Sequence, residues 1–333
     1  MGSRAAKSGL NSGGFAGALL RSGVSQRTVA ARLGRSKLVV AAWFAGELQP
    51  SAKDVFYLSR FVPGLECEGC PLSSEELEAE AAWAAKFPAR ALVHRGFIGE
   101  AEADKVRALC NFFQVARPEI WERAFLSGSG RISRLDLRGV RKPEVVSAWF
   151  QSAWLRFGSA PTKLYRPEET PRILQAIRHL AYAGCGNLFK ESLALCSDLG
   201  VNAVFWQSFP QDAAGAISFI LDQKPFLVFS ERYATEPQFL EMLFGALVCF
   251  KACPKKVLMQ DLGAPFELPA EARDALLSEA DECAIASFGD FSDKAVLAYS
   301  REFFTPPAVI ERRLFELGLR AAGSKFAKKL KFG

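Results

Sequence analysis

The sequence predicts a multidomain protein that is mainly α-helical and has an α+β C-terminal domain. Half of the 333 residues are hydrophobic and 23% are charged, which is typical of a folded chain long enough for two or three domains. Apolar residues recur at helical spacing from 72 to 165, whereas short β-rich runs occur only after residue 166. We therefore expect helical domains first, and mixed strands and helices after them.

Membrane and secretory classes are excluded by the hydropathy pattern. The longest uninterrupted apolar stretch, 242–250, is about half of what a membrane-spanning helix needs. The N-terminal residues lack the apolar core of a signal peptide, so we predict a cytoplasmic protein with no membrane partner. The eight cysteines are then expected as thiols, and the two histidines, His94 and His179, exclude a histidine-rich metal site.

The charge is concentrated at the two ends of the chain. Residues 1–50 carry a net charge of +6 and residues 320–333 a net charge of +5, while the whole chain has only +6. The body between them is therefore mildly acidic. Basic ends on an acidic body favour a partner with phosphates, that is, a nucleic acid. The alternative is two solvated, partly frayed termini.

Four short helical patterns follow a loose basic N-terminus that we predict over 1–14. They cover 15–22, 26–33, 37–44 and a segment that begins near residue 52. Ser25 and Ser36 are good N-caps for the second and third helices, and Gly34 stands where a helix ends in a left-handed residue. Two short helices joined by a tight turn form a helix-turn-helix arrangement, and we assign this domain to 15–64.

This segment resembles the Cro/CI-type (XRE) helix-turn-helix family across 25–51. The matching positions are Gln26, Ala30, Leu33, Gly34, Ser36, Gly46 and Pro50. The resemblance implies contact with DNA, and the basic end falls on the same segment. The candidate DNA-binding residues are Gln26, Arg27, Arg35, Ser36 and Lys37.

The third helix has few side chains that can read bases. Base edges are read mainly by Arg, Lys, Asn and Gln, yet residues 38–42 are all apolar. Only Lys37, helped by Arg35 and Ser36, can donate hydrogen bonds there, so we predict weak sequence reading. A module with so few base contacts needs two half-sites, which predicts a homodimer on DNA. The alternative is a degenerate module that contacts protein.

The middle of the chain, 72–165, is predicted to be a helical spacer domain. Helical patterns cover 74–85, 101–115 and 145–157, and no catalytic motif occurs among them. The aromatic residues at helical spacing are expected in the core, because no basic residues alternate with them. They are Phe112, Phe113, Trp121, Trp149, Trp154 and Phe157.

Strand patterns identify an α+β domain over 166–300, followed by a C-terminal helix and basic tail over 301–333. The strand patterns are 200–206, 212–222 and 224–230. Helices are predicted over 236–253 and 270–286.

Segment 226–244 is similar to the segment before the active-site helix of ImmA/IrrE-type zinc metallopeptidases. Further landmarks of its helix-turn-helix-fused members occur in the same order at 95–98, 111–113, 148–150, 200–201, 278–281 and 309–319. The resemblance implies a zincin-like domain whose His-Glu-x-x-His motif would follow Phe244. Here Gly245 stands at the position of the first ligand, Ala246 at the general base and Cys249 at the second ligand. Only Glu279 remains, at the third-ligand position.

A pseudo-metallopeptidase with no catalytic residue and no cofactor is therefore predicted. One alternative is a structural zinc site formed by Cys249, Cys253, Glu279 and Cys283; the competing interpretation is that these thiols act as small hydrophobic residues. The Cys67–Cys70 pair is interpreted as exposed loop cysteines, and the alternative is a redox-sensing pair.

Two functions are compatible with the sequence. The first is a non-catalytic DNA-binding transcriptional regulator or antitoxin-like protein, as the fused members imply, whose peptidase-like domain senses a ligand or binds a protein partner. The second is a protein-interaction scaffold or inhibitor that does not bind DNA. The basic N-terminal end favours the first function, and the apolar third helix favours the second.

Overall fold

The computed structural model describes residues 12–67, 69–100, 104–127, 135, 137–138, 140–160, 163–210, 215–221, 224–252, 259–261, 268–321 and 325–330. The chain divides into two compact units, residues 1–152 and 153–333. The described part is mainly helical, and its one sheet lies in the second unit, which confirms a mainly α protein with some β structure. None of the described helices is long and apolar enough to cross a membrane.

The first unit begins with four short helices. They are α1 (Ser12–Arg21), α2 (Gln26–Leu33), α3 (Lys37–Ala45) and α4 (Ala52–Ser59). The predicted caps are confirmed: the hydroxyl oxygens of Ser25 and Ser36 accept the backbone N–H groups of Thr28 and Val39. Residues 1–11 lie outside the described residues, but 12–14 belong to α1, so the loose segment predicted over 1–14 is wrong at its end.

The amphipathic pattern of these helices explains how they pack. Their buried apolar side chains form one core, whose members include Phe15, Leu19, Val29, Leu33, Val40, Trp43, Val55 and Leu58. Ala116, which lies far along the chain, belongs to the same core. The four helices are therefore packed against the middle helices inside one compact unit.

The middle helices are more numerous than predicted. They are α5 (Ser74–Ala84), α6 (Ala89–His94), α7 (Lys105–Phe113), α8 (Pro118–Phe125) and α9 (Pro143–Phe157), and the boundary between the two units falls within α9. Neither α6 nor α8 was predicted; α6 has only six residues, which is too short for a clear helical period. The carboxylate of Asp104 caps α7, so this helix begins after residues 101–103, which lie outside the described residues.

Aromatic side chains fill the core of the first unit. Phe113 contacts Phe87, Trp121 and Phe125 with ring centroids 5.1–6.1 Å apart, mostly edge to face. Phe112 and Trp149 are buried as predicted. Trp154 and Phe157, also predicted in the core, are only half-buried and belong to the second unit.

The second unit contains seven helices and four strands in its described residues. The helices are α10 (Thr170–Tyr182), α11 (Leu188–Leu199), α12 (Glu236–Ala252), α13 (Ala270–Leu276), α14 (Glu279–Ser287), α15 (Asp293–Glu302) and α16 (Pro307–Glu316). The strands are β1 (Asn202–Phe205), β2 (Ala216–Leu221), β3 (Lys224–Phe229) and β4 (Met259–Asp261). Two short 3₁₀ helices, Pro167–Glu169 and Glu231–Tyr233, complete the described elements.

The sheet has the strand order β1-β3-β2-β4. β1 is parallel to β3, with Asn202 opposite Phe226, and β2 is antiparallel to both of its neighbours. Buried residues follow one another along β3, as expected for a central strand covered on both faces. The long helix α12 packs against β2 and against α10, α13 and α16, and it forms the centre of the hydrophobic core.

The helix predicted over 270–286 is in fact two helices. Leu277 is extended between α13 and α14 (φ −156°, ψ 117°), and the hydroxyl oxygen of Ser278 accepts the N–H of Asp281 to begin α14. Leu277 is buried in a small second core that also holds Ile285 and Ile310. Burial of this side chain overrides the continuous helical pattern.

Candidate nucleic-acid interface and the 245–249 segment

The N-terminal ends of α2 and α3 carry the residues predicted to contact DNA. Gln26 and Arg27 form the first turn of α2, and both side chains are exposed. Ser36 and Lys37 are exposed at the start of α3. The first backbone N–H groups of both helices have no intrahelical partners, as at any helix N-terminus, and such helix ends favour anions. These four predicted side chains are thus accessible to a phosphate.

Arg35 has a structural partner that the sequence analysis did not predict. Its Nε and Nη2 donate to Oδ1 of Asp54 at 3.0 and 2.9 Å, and Nη2 also donates to Oδ2 at 3.1 Å. The carboxylate of Asp54 is buried and accepts the hydroxyl of Ser51 at 2.7 Å. Arg35 therefore fastens the turn between α2 and α3 to the start of α4, although 43% of its side chain is still exposed.

The exposed surface of α3 is otherwise apolar. Leu38, directly after Lys37, is 83% exposed, and Leu48, just after the helix, is 46% exposed. Ala45 is exposed between them. These side chains can contact thymine methyl groups or protein, but they cannot hydrogen-bond to base edges.

The turn between α2 and α3 rests on α8. Gly34 has φ +66°, and a Cβ placed on it would lie 2.4 Å from Cδ1 of Ile120. The same position is 3.8 Å from Nη1 of Arg123, whose side chain is exposed. The N–H of Ala116 donates to the carbonyl of Arg32 at 2.9 Å. Sequence analysis missed these contacts, because Gly34 predicts a turn but does not identify the side chain beside it.

Another basic residue near the N-terminus belongs to the packing of the unit. The guanidinium of Arg32 lies over the ring of Phe61, 4.8 Å from its centroid. Burial lowers the pKa of Arg32, because desolvation disfavours the charged form. Of the described basic residues in the first 50, Arg32 and Arg35 are thus held by protein contacts, while Arg21, Arg27 and Lys37 are exposed.

A buried ion pair fixes α4 to the middle helices. Nη2 of Arg60 lies 2.5 Å from Oε2 of Glu80, and both side chains are more than nine-tenths buried. Nη1 of Arg60 also donates to Oε1 of Glu80 and to the carbonyl of Ala116. The side-chain amide of Asn111 donates to the carbonyl of Arg60. Removing one partner would leave a buried charge uncompensated.

In the second unit, the 245–249 segment is part of the core. Gly245 and Ala246 are buried within α12, and Ala246 belongs to the main hydrophobic cluster. Cys249, one turn later, is half-buried. Neither glycine nor alanine has a side chain that can bind a metal ion or accept a proton. At these positions α12 therefore contributes packing and no acid–base chemistry.

The remaining members of the suggested metal site are dispersed. Glu279 and Cys283 are exposed on α14, whereas the main helical neighbours of α12 are α10, α13 and α16. Cys253 lies outside the described residues. Among the residues that the structure does describe, no three His, Cys, Asp or Glu side chains are grouped so that they could hold a metal ion.

A carboxylate that the sequence analysis did not select lies one turn before Gly245. Glu241 is mostly buried, and its Oε1 is 2.7 Å from Nε of Arg312 on α16. Burial raises the pKa of Glu241 to about 7, and the nearby Arg312 only partly offsets this effect. Arg312 also lies 3.3 Å from Glu316, so the group links α12 to α16.

The basic C-terminal residues are partly neutralised by the protein itself. Arg320 forms ion pairs with Asp293 and with the buried Glu311. Lys325 also pairs with Asp293, at 2.6 Å. The charge available to an external partner at this end is therefore smaller than the sequence suggested.

The chain was compared with protein-family models, curated proteins and solved structures, and none of them matches it.

Proposed function

We propose that the protein is a non-catalytic DNA-binding protein, a transcriptional regulator or an antitoxin-like protein. In this proposal the N-terminal ends of α2 and α3 hold the phosphate backbone of DNA. The observation that carries it is the set of four exposed polar or basic side chains at these two helix ends: Gln26, Arg27, Ser36 and Lys37. Side chains of this kind, together with helix N-termini, hold phosphates in protein–DNA complexes.

Affinity in this proposal comes mainly from phosphate contacts. Arg27 and Lys37 are exposed cations, and neither has an ion-pair partner among the described residues. Arg35 is already paired with Asp54, so its net contribution is small. Two phosphate contacts per protomer give a log–log salt slope of about −2, and a homodimer on two half-sites gives about −4.

The second unit acts in this proposal as a sensing or partner-binding domain that does not cut its ligand. This part is supported by the resemblance of 226–244 and by the side chains of α12. A zinc peptidase needs three protein ligands and a water activated beside a general base. Gly245 and Ala246 supply neither, and both are buried.

The experiment that tests DNA binding is a titration of the full chain. Fluorescence anisotropy with a mixed-sequence duplex of about 30 base pairs, at about 50 and about 200 mM salt, should give a steep loss of affinity with salt. The Arg27→Ala/Lys37→Ala double variant should lower both the affinity and the slope. The matched control is Lys86→Ala/Arg107→Ala, which removes two exposed cations elsewhere in the first unit. Equal slopes for all three proteins, or no binding, would reject the proposal.

The second candidate is a protein-interaction scaffold or inhibitor. The observation that favours it is the 83% exposure of Leu38 on α3, because a large exposed apolar side chain suits a protein contact better than a phosphate backbone. Under this alternative, Leu38→Ser abolishes binding to a protein partner and DNA binding is absent. In the DNA titration, Leu38→Ser should change affinity little if the first proposal is correct.

A further inference from the structure

We infer that the DNA-binding surface extends beyond the four N-terminal helices onto α8, with Arg123 as an additional phosphate contact. This inference rests on the proposed function and deepens it. It assigns a DNA contact to the middle helices, which the sequence analysis treated as a spacer.

The position of Arg123 is fixed by the packing of α8 under the turn. Ile120, one turn earlier on the same helix, is fully buried and fills the space beside Gly34. Because Arg123 follows Ile120 by three residues, both side chains lie on neighbouring parts of one helix face. Nη1 of Arg123 consequently lies 3.8 Å from the point that a Cβ of Gly34 would occupy. Ser36 and Lys37 follow this glycine by only two and three residues.

The charge of Arg123 is available to a ligand. Its side chain is exposed, and no carboxylate among the described residues lies within ion-pair distance of it. Glu119, one turn earlier on α8, lies 3.8 Å from Arg117 instead. In contrast, Arg35, at the same turn, is bound by Asp54. Arg123 therefore supplies at this turn the cationic group that Arg35 directs inward.

A guanidinium suits this position chemically. It is always charged and presents several donors in one plane, so it can hold two oxygens of one phosphate. The contact is to the backbone and not to base edges. It therefore raises affinity for all DNA sequences about equally, consistent with an α3 that can read few bases.

The test uses the full chain and the same titration. Arg123→Ala should weaken binding to two unrelated duplexes by about the same factor, roughly three- to tenfold, and should reduce the magnitude of the salt slope by about 0.9 per protomer. Arg123→Lys should retain most of the slope. The matched control is Glu122→Gln, which changes an exposed residue on the same helix. This variant should not reduce the magnitude of the salt slope. The thermal midpoint should stay unchanged in all three variants, because both side chains are exposed.

Two results overturn the inference, and they are distinguishable. If Arg123→Ala binds with the wild-type slope while Arg27→Ala/Lys37→Ala does not, DNA binding stands and the contact from α8 is wrong. If the wild-type chain shows no salt-dependent binding, the proposed function fails and this inference fails with it.

Discussion

Replacing Gly34 by alanine tests directly whether the turn between α2 and α3 rests on α8. Gly34 has φ +66°, Gly46 has φ +76°, and each follows the end of a short helix. A Cβ on Gly46 would meet nothing within 4 Å, whereas a Cβ on Gly34 would lie 2.4 Å from Cδ1 of Ile120. The two substitutions therefore share a backbone penalty and differ in one contact.

The magnitude follows from these two contributions. An alanine in the left-handed region costs about 1–2 kcal/mol, and this applies to Gly34→Ala and Gly46→Ala alike. Ordinary contact begins near 3.4 Å, so the methyl group of Ile120 must move by about 1 Å. Ile120 is fully buried, and overpacking in a tight core costs about 1–3 kcal/mol more. Gly34→Ala should therefore cost about 2–5 kcal/mol in total.

The assay is urea unfolding of the full chain, followed by hydrogen exchange of the amides in 26–45. A double-mutant cycle sharpens it, because Ile120→Val removes the one methyl group, Cδ1, that the new Cβ would meet. Ile120→Val alone should cost about 0.5–1.5 kcal/mol. In the Gly34→Ala/Ile120→Val variant the overpacking penalty should disappear, which gives a favourable coupling of about 1–3 kcal/mol.

Additive effects of the two substitutions would exclude a contact between Ile120 and the turn. If the double variant loses the sum of the two single effects, Ile120 does not contact the turn. An equal loss in Gly34→Ala and Gly46→Ala would lead to the same conclusion. Either result would also remove the geometric basis for a DNA contact from α8.

Three further outcomes are expected. Glu80→Gln leaves a buried guanidinium without its counter-charge and should cost about 3–5 kcal/mol in urea unfolding, whereas Glu78→Gln, on the exposed side of α5, should leave the midpoint unchanged. The pKa of Glu241 is raised from 4.5 to about 7 in the folded state. The stability that the protonated carboxyl contributes is therefore complete below pH 4.5 and is lost as the pH rises through 7. Compared with the wild type, Glu241→Gln should thus gain stability between pH 5 and pH 8, by about 3 kcal/mol at most; parallel pH profiles would contradict this. Burial raises the pKa of Cys196 to about 12, so iodoacetamide should label the exposed Cys283 rapidly and Cys196 only after unfolding, as mass spectrometry can show.

Local signals in the sequence predicted the starts of α2 and α3 well. Ser25, Gly34 and Ser36 set the bounds of α2 and the start of α3 correctly, because a cap acts on backbone groups only two or three residues away. Three of the four described strands were also predicted, because β2 and β3 are short apolar runs bounded by turn residues. The short strand β4 was not predicted. Predictions that depend on neighbours along the chain are the ones that succeeded.

Contacts between distant residues could not be predicted in this way. The sequence predicts Arg35 as a basic side chain that contacts DNA. Nothing near it in the sequence indicates that Asp54, 19 positions later, will bind it. The break at Leu277 has the same origin, since the helical pattern continues through it and only burial in the second core interrupts it. The sequence therefore predicted a set of candidate residues, but it did not show which of them face solvent and which hold the turn.

Two contacts connect the turn between α2 and α3 to the middle helices, and a third connects the end of α4 to the same place. Gly34 packs on Ile120, the carbonyl of Arg32 accepts the N–H of Ala116, and Arg60, at the end of α4, donates to the carbonyl of the same Ala116. The turn and the end of α4 are thus held by one short segment, 116–120, which leads into the first turn of α8. A displacement of that segment would change the position of the α3 N-terminus without unfolding any helix. For a DNA-binding regulator, this means that a ligand or partner bound to the middle helices could alter DNA affinity within a single compact unit, and Gly34→Ala should reproduce such an effect in the absence of any ligand.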